Sequence, residues 1–228
     1  MFISNNQFIS PTKLYTMTLS LIHDRNDILK FAQLLELKGE TILFCCDRKK
    51  YGGSDKREKI LNAWIEEPRD FLEQVENLDF MMRNFLWSVS ERDKFVMYSN
   101  TNCLDRKKAQ KKFLSELLSA TLNGEEVKIQ RKWQSCLRRS RVEMKWYSID
   151  LDTKEEKEFD FIRQKLKNPI IITTRGGYHF LVKKLPRGLP AEISVGNIDC
   201  PIPGTYQGGF KVEFYEDPDE FDYEEHLE

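Results

Sequence analysis

The sequence predicts an α/β fold with a helix-rich amino-terminal half and a sheet in the carboxy-terminal half. Residues 146–182 are typical of strand, helix, strand, turn and strand, because apolar and aromatic runs flank one amphipathic stretch. Residues 27–122 contain several stretches in which apolar side chains recur at helical spacing. With 228 residues, the chain can bury most of its apolar surface in one domain or two intimate subdomains.

Composition is that of a soluble globular protein in a reducing compartment. The chain is 40% hydrophobic and 32% charged, and its 15 Phe, 8 Tyr and 4 Trp exclude disorder throughout. Five cysteines without C-x-x-C spacing argue against a disulfide framework and a cysteine-built zinc site. The uncharged run 14–23 is too short to span a membrane, and no signal peptide is evident. We therefore expect a cytoplasmic protein, in the host cytoplasm if a virus or plasmid encodes it.

Charge is segregated along the chain, although the net charge is only −1. Residues 128–145 contain seven basic side chains and one acid, with Trp133 among them. The last sixteen residues contain nine acids and no Lys or Arg. Because these acids repel one another, we expect the chain beyond residue 217 to be mobile. The tail could mask the basic surface, contact a partner or act as a plain solubilising segment.

The first forty residues are weakly patterned apart from one short helix. Residues 27–35 fit a helix capped by Asn26 or Asp27. A buried strand is predicted at 41–46, and the basic, glycine-containing residues 47–54 that follow are typical of a loop. This loop could contact phosphates, but a solvated loop is the more ordinary interpretation.

Helices dominate the next stretch. Residues 63–87 predict two helices that meet at Pro68, a strand follows at 94–99, and a further helix extends from 106 to about 122. The core side chains expected in the first of these stretches are Trp64, Phe71, Leu72, Val75, Leu78 and Phe85. The helix 106–122 has a predicted apolar stripe of Phe113, Leu114, Leu117 and Leu118 and a predicted basic face of Lys107, Lys108, Lys111 and Lys112.

Two aspartates at alternate positions end the first strand of the 146–182 unit. Successive strand side chains point to opposite faces, so Asp150 and Asp152 share a face about 7 Å apart. An amphipathic helix is predicted at 153–167 and a second strand directly after it. The glycine turn 175–177 then places His179 near the start of a third strand.

These residues could bind a divalent metal ion and a triphosphate. Carboxylates suit hard cations such as Mg²⁺ or Mn²⁺, and His179 could hold a phosphate. Each residue alone has an ordinary structural interpretation, since aspartates often cap strand ends and strand histidines are usually satisfied structural residues. A calcium loop fails because Lys154 and Glu155 occupy positions that require an oxygen ligand and a glycine.

The order of the motifs resembles the archaeo-eukaryotic primase superfamily. Its members carry an acidic D-x-D or D-x-E on a strand, an S-x-H on a later strand, and a third acid preceded by an apolar residue. Residues 148–152 are similar to the first motif and residues 174–182 to the second. Ile198 and Asp199 are similar to the third, and 202–212 to the loop that follows it.

The resemblance covers roughly residues 94–215 and implies the primase-polymerase fold and activity. It predicts a mixed helix and strand module at 1–125 packed on an RRM-like catalytic module at 126–215, before an acidic tail at 216–228. The implied activity is template-dependent nucleotidyl transfer to a 3′ hydroxyl with Mg²⁺ or Mn²⁺. The implied partners are a single-stranded nucleic-acid template and nucleoside triphosphates, and they could extend to a helicase or an accessory primase subunit. No membrane partner is expected.

The resemblance also implies roles for individual residues. The expected catalytic and metal-binding residues are Asp150, Asp152 and Asp199. The expected nucleotide-binding residues are Arg175, Gly176, Gly177, His179, Thr205 and Lys211. The expected template contacts are Lys128, Arg131, Lys132, Arg138, Arg139 and Arg141, with the lysine face of the helix 106–122 as an alternative.

The chain departs from the family pattern at three points. Gly177 stands where the family usually has serine, so Thr173 or Thr174 would have to supply the hydroxyl. The strand around Asp199 is short, and Glu213, in the alternating run 210–215, is the alternative third acid. No zinc knuckle is apparent, and the chain has no room for a helicase domain.

Two other functions compete with this interpretation. A catalytically silent single-stranded nucleic-acid-binding module would retain the fold without the motif serine, and a metal-dependent nuclease would use the same acids. An RRM that stacks RNA bases is disfavoured, because the aromatic signature is missing and an acid pair on the sheet would repel phosphates.

Overall fold

A computed structural model describes residues 20–54, 58–85, 93–142, 144–189, 193–196 and 199–216. Within these segments the protein is a mixed α/β structure with two antiparallel sheets and five α-helices. The predicted acidic tail beyond residue 217 lies outside them, as do Trp87 and Ile198. None of the helices in these segments is long and apolar enough to cross a membrane.

The helices and strands alternate irregularly along the chain. The helices are α1 (Arg25–Leu34), α2 (Pro68–Phe85), α3 (Arg106–Leu122), α4 (Ile129–Arg138) and α5 (Glu156–Arg163). The strands up to residue 182 are β1 (Gly39–Asp47), β2 (Glu58–Ile65), β3 (Phe95–Ser99), β4 (Tyr147–Leu151), β5 (Ile170–Thr173) and β6 (Tyr178–Val182). The strands after it are β7 (Ser194–Gly196), β8 (Cys200–Pro201), β9 (Tyr206–Gln207), β10 (Phe210–Lys211) and β11 (Glu213–Glu216).

The first sheet has the order β10-β9-β3-β1-β2, and β8 also pairs with β3. Its strands bury both faces, because alternate side chains point to opposite sides. Leu43 and Cys45 of β1 join a core formed with α1 and α2. Ile42 and Phe44 join a second core with residues of α3 and α4, including Leu137.

The second sheet has the order β11-β5-β6-β4-β7. Ile149 and Phe180 pack on one face against Ile162 of α5. On the other face, Ile172 and Leu181 join the same core that lies on the first sheet. That shared core, with α1 and α2, therefore lies between the two sheets and fixes their relative position.

The chain passes between the sheets more than once. From β4 it runs through α5 to β5, and β6 then pairs with both β5 and β4. After β7, the strands β8 and β9 pair with β3 of the first sheet, and β11 returns to the edge of the second. The predicted boundary at residue 125 consequently does not separate the two sheets.

Most predicted elements are confirmed within a few residues. The strand predicted at 41–46 is β1, the one at 94–99 is β3, and the helix predicted at 106–122 has the bounds of α3. The helix predicted at 27–35 begins earlier, at Arg25, because the Asp24 carboxylate caps it by accepting from the backbone N–H groups of Asn26 and Asp27. The correct cap is therefore Asp24.

Three predicted elements are wrong in kind or extent. Residues 63–65 belong to β2, not to a helix, because β2 pairs with β1 along its length. The basic segment 128–145, for which no helix was predicted, begins with α4. The alternating run 210–215 is two strands, because Val212 interrupts it and only β11 joins the second sheet.

The predicted apolar stripe of α3 is wrong in part, whereas the predicted lysine face has Lys107, Lys108 and Lys111 exposed and Lys112 half-buried. Ala109 and Ala120 are buried, and Phe113 makes an edge-on contact with Trp133 of α4. Leu114 and Leu118, which the sequence assigned to the buried stripe, are instead exposed.

Candidate functional site

Asp150 and His179 face each other on neighbouring strands. They are direct partners in the β4–β6 register, and Asp150 Oδ1 lies 3.4 Å from His179 Nε2. The other ring nitrogen, Nδ1, lies 3.5 Å from the hydroxyl oxygen of Ser148. Because Ile149 points toward α5, Ser148 and Asp150 point to the opposite face, which is turned toward the first sheet. The sequence-predicted aspartate and histidine are thus brought together.

Burial governs the protonation of this pair. It raises the pKa of the Asp150 carboxyl, with Asp152 acting in the same direction, while His179 and Lys50 oppose the rise. It lowers the pKa of His179, although Asp150 and Asp152 act against this. We therefore expect a neutral imidazole at pH 7 and a carboxylate that gains from a nearby cation.

Asp152 follows the last residue of β4 and lies beside the glycine turn. A Cβ built on Gly176 would lie 4.0 Å from Asp152 Oδ1 and 3.8 Å from Lys50 Nζ. Lys50 belongs to a single 3-10 turn, Lys49–Tyr51, directly after β1 of the first sheet. Sequence reasoning assigned no role in the site to this residue; its only signal was the basic loop 47–54.

Gly177 leaves no room for the serine of the family motif. A Cβ at this position would lie 1.9 Å from the carbonyl oxygen of Leu151 and 2.8 Å from the backbone nitrogen of Thr153. The hydroxyl of Thr174 donates to the Gly177 carbonyl at 3.1 Å and accepts from its N–H at 3.1 Å. Thr174 therefore closes the turn with its hydroxyl, and the turn packs its backbone directly on the end of β4.

Arg175 joins the glycine turn to the β9–β10 hairpin of the first sheet. Its backbone N–H donates to Gln207 Oε1 at 2.9 Å, and its guanidinium donates to the Gly208 carbonyl at 2.7 Å. The guanidinium also lies over the Tyr51 ring, 4.8 Å from its centre. The Tyr51 hydroxyl is buried without a hydrogen-bond partner among the described residues. Tyr51 is a second site neighbour that the sequence did not reveal.

Asp199 approaches the site from the first sheet. It precedes β8, which pairs with β3. After burial itself, the Asp150 and Asp199 carboxylates both raise the pKa of the Cys200 thiol, so both lie near that side chain. Nevertheless, no group of three or more His, Cys, Asp or Glu side chains within the described segments is arranged to hold a metal ion.

Glu213, the alternative third acid, lies elsewhere. It pairs with Thr173 on β11, and two strands, β5 and β6, separate β11 from β4. In the register it is aligned through Thr173 and Tyr178 with Leu151, whose side chain points toward α5. Glu213 is therefore about three strand spacings, roughly 14 Å, from the position of β4.

The two residues predicted in the loop after the third motif have different environments. Thr205 is fully buried, and its hydroxyl donates to the Ile202 carbonyl at 2.6 Å. Lys211 is exposed on β10, opposite Tyr206. The Thr205 hydroxyl thus stabilises a turn, while Lys211 lies at the outer strand of the first sheet.

The predicted basic surface is partly neutralised. Glu116 of α3 accepts from both Lys132 at 3.1 Å and Arg139 at 2.7 Å. Arg138 lies over the Phe44 ring, 5.4 Å from its centre. The remaining predicted template contacts, which are exposed, are Lys128, Arg131 and Arg141.

A row of aromatic and basic side chains connects α4 with the site. Phe44 stacks on Tyr98 with ring centres 5.0 Å apart, and Arg48 lies 5.9 Å from the centre of the Tyr98 ring. Arg48 directly precedes the turn that carries Lys50.

No protein-family model, no curated protein and no solved structure matches this chain.

Proposed function

We propose that the protein is a template-dependent nucleotidyltransferase of the primase-polymerase type, which transfers nucleotides to a 3′ hydroxyl in nucleic-acid synthesis. The observation that carries the proposal is the opposition of Asp150 and His179 across neighbouring strands, with Asp152 at the strand end. This arrangement sets two carboxylates and a neutral imidazole on a sheet face where Lys50 adds positive charge.

The topology of the second sheet supports the proposal. β6 lies between β4 and β5, which α5 connects, and β7 flanks β4 on the other side. A strand inserted between the two strands of a βαβ unit is typical of RRM-like and ferredoxin-like sheets. The residues described between β6 and β7, 183–189 and 193, include no second helix, which is a departure from that pattern.

In this proposal the carboxylates bind Mg²⁺ or Mn²⁺ and the basic groups bind the triphosphate. Asp150 and Asp152 would be the first ligands, and Asp199 would join them from the first sheet. Oxygen donors fit these cations, which when bound stabilise charge on the transferred phosphate. His179, Lys50 and Arg175 would hold the nucleotide phosphates, because all three are on or beside the glycine turn.

The template would approach along the row of side chains from α4 to the 3-10 turn. Arg138 and Arg48 mark its two ends and cover the rings of Phe44 and Tyr98, which are buried in the second core, so the guanidinium groups and not the rings would meet the template. Guanidinium groups at intervals along a surface suit the phosphates of a single strand.

The test is an extension assay with Mn²⁺ or Mg²⁺, a single-stranded template and labelled nucleotides, with and without a primer. We expect incorporation by the wild-type chain and a loss of about three to five orders of magnitude in Asp150→Asn and Asp152→Asn. Incorporation that persists unchanged in both variants would contradict the proposal. Substrate shortening in place of extension would identify a nuclease.

The same assay decides the third acid. We expect Asp199→Asn to lose activity by several orders of magnitude, because it removes a ligand, and Glu213→Gln to stay within about twofold of wild type. Glu213→Gln is the matched control, since it removes the carboxylate on the far strand. A fully active Asp199→Asn chain would overturn the assignment.

A second candidate is a catalytically silent single-stranded nucleic-acid-binding module. The observation that favours it is that no three candidate ligands in the described segments are arranged for a metal. It predicts binding with a steep salt dependence that neither metal nor Asp150→Asn changes. Extension that depends on Asp150 would exclude it.

A further inference from the structure

Helix α3 has apolar side chains on two opposite faces. One face carries Ala109 and Ala120, which are both buried, and Ala109 packs with residues of the first sheet and α4. The other carries Leu114, Leu118 and Leu122, which are 63%, 61% and 78% exposed. Leu118 follows Ala109 by nine residues, about two and a half turns, so the leucines point directly away from the buried face.

No packing within the described chain accounts for the leucine stripe, which we define as Leu114, Leu118 and Leu122. Helix α4 contacts α3 on another side, through Trp133 on Phe113 and Lys132 on Glu116. Three leucines spaced four residues apart form a continuous row on a helix, and such a row is typical of a surface that packs on another helix.

The charges at the two ends of the stripe are opposite. Toward the amino-terminal end of α3, Lys107 and Lys111 continue the same row, because they precede Leu118 by eleven and seven residues. Just after the helix, Glu125 and Glu126 are exposed. A helix with a basic start and an acidic end is complementary to an antiparallel copy of itself.

We infer that a second copy of this chain covers the leucine stripe, by antiparallel packing of α3 on α3 about a two-fold axis at Leu118. The axis places Leu118 against Leu118 and Leu114 against Leu122 of the second copy. Lys111, one turn before Leu114, then lies near the carboxy-terminal end of the second copy's α3, where the chain turns at Gly124 into Glu125, and the same pair repeats by symmetry. The opposed helix dipoles add to this attraction.

We expect the dimer to dissociate at low protein concentration, because the surface that the leucine stripe buries is small. Stable interfaces bury about 800 Å² on each partner, and one helical row of three leucines with flanking lysine stems provides less. The dimer therefore belongs with weak, reversible associations. It involves none of the residues proposed to bind metal or nucleotide, although Lys107 and Lys111 belong to the lysine face named as an alternative template contact, so the inference does not rest on that function.

Sedimentation equilibrium from roughly 5 to 500 µM protein measures this association. We expect the apparent mass to rise from 27.1 kDa toward twice that value, and less so at high salt. Leu118→Lys should raise the dissociation constant by about 100-fold or more, because it sets two ammonium groups at the axis. Phe161→Lys, at an exposed apolar residue of α5, is the matched control and should leave the dissociation constant unchanged.

A charge exchange tests the identity of the partner. Lys111→Glu and Glu125→Lys should each weaken the dimer by about three- to tenfold, since each sets like charges together, and the double variant should return within about twofold of wild type. Circular dichroism and thermal unfolding check that each exposed substitution leaves the fold intact.

Three results would overturn the inference. If the chain stays monomeric at all these concentrations, no second copy covers the leucine stripe, and a helix of another protein is the alternative. A dimer that Leu118→Lys does not weaken uses another surface. Single charge variants that weaken the dimer without rescue in the double variant exclude the antiparallel register.

Discussion

Two aspartates, Asp79 and Asp150, are both buried by the fold but differ in their partners. The Asp79 side chain is 2% exposed, and its oxygens accept from the Leu21 N–H at 2.8 Å and the Ser20 hydroxyl at 3.0 Å. Arg83 Nε lies 3.1 Å from it. The Asp150 side chain is 25% exposed, and its Oδ1 lies 3.4 Å from the imidazole Nε2 of His179.

Burial raises the pKa of both carboxyl groups, yet only at Asp79 does a backbone hydrogen bond oppose the rise. At Asp79 the backbone N–H, the arginine and the serine hydroxyl all favour the charged form. At Asp150 the compensation comes from His179 and Lys50, while Asp152 works against it. A buried carboxylate that lacks backbone donors is suited to a ligand, whereas a fully bonded one stabilises the fold.

The largest expected effect is a difference in the free energy of unfolding that is lost when Asp79 or Asp150 is replaced. Asp79→Ala should lower the free energy of unfolding by about 2–4 kcal/mol at pH 7, because it removes the acceptor of the buried Leu21 N–H and the ion pair with Arg83. Asp150→Ala should change it by less than about 1 kcal/mol, since no backbone donor in the described segments depends on it. Urea unfolding followed by tryptophan fluorescence measures both, and equal losses would erase the distinction.

The second effect concerns what holds the site acids in place. Gly177→Ala should lower the free energy of unfolding by about 2 kcal/mol or more, because the new methyl group meets the Leu151 carbonyl. Gly176→Ala is the matched control and should stay within about 0.5 kcal/mol, since its nearest neighbour is the flexible end of Lys50. Thermal unfolding of the pair decides whether backbone contact positions Asp152, and equal melting temperatures would show that it does not.

The third effect concerns ligand binding beside Asp150 and Asp152, and it tests whether Lys50 contributes to the binding of a nucleoside triphosphate. Lys50→Ala should weaken nucleoside triphosphate binding by about tenfold, equivalent to about 1.4 kcal/mol, because it removes the cation beside the glycine turn. Lys49→Ala, on the same 3-10 turn, should change it by less than about twofold. Calorimetric titration in the presence of Mg²⁺ measures both affinities. Equal effects would mean that Lys50 contributes only as a general surface charge.

Glu40 is a third buried carboxylate, intermediate between Asp79 and Asp150 in its partners, and its substitution should have the smallest effect on stability. It is 4% exposed, Arg106 Nη1 lies 3.7 Å from Oε2, and that oxygen accepts no hydrogen bond from the described residues. Burial raises its pKa despite Arg106. The folded protein therefore binds this proton more tightly than the unfolded chain, and the contribution of Glu40 to stability is lost as pH rises through the folded pKa.

Glu40→Gln should accordingly stabilise the protein by about 1 kcal/mol at pH 8, or ~2–4 °C in melting temperature. The gain should vanish near pH 4, where the wild-type carboxyl is protonated in both states. Melting curves across this range measure it. A gain that does not change with pH would mean that packing, not charge, is the cause.

Elements with strong local signals could be predicted from the sequence. Helix α3 begins where the Asp105 carboxylate accepts from the Lys108 N–H, and it ends at Asn123 and Gly124, so its bounds are local. Strand β2 was missed, since Ala63–Ile65 was assigned to a helix although Trp64 and Ile65 favour strands, and the pairing with β1 continues through these residues. The apolar spacing of Ile129, Trp133 and Leu137 in α4 was present but was hidden among basic residues.

In the candidate site, too, residues with local sequence signals could be predicted and residues brought in by long-range packing could not. Asp150 and His179 could be predicted because alternation along a strand and a short glycine turn are local features. Lys50 and Tyr51 could not, because about 125 residues separate them from the glycine turn, and the packing of the two sheets brings them there. The exposure of Leu118 was also inaccessible, since helical spacing identifies an apolar row without saying what covers it.

The return of β8 and β9 to the first sheet has a consequence for how the protein folds. Until residue 207 is available, β3 lacks all its partners on the side away from β1, and its edge groups stay unpaired. Such sequence-distant pairings slow folding and couple the two sheets into one cooperative unit. A fragment that ends at residue 125 should therefore fail to fold and should aggregate through the bare β3 edge, whereas the whole chain should unfold in a single transition.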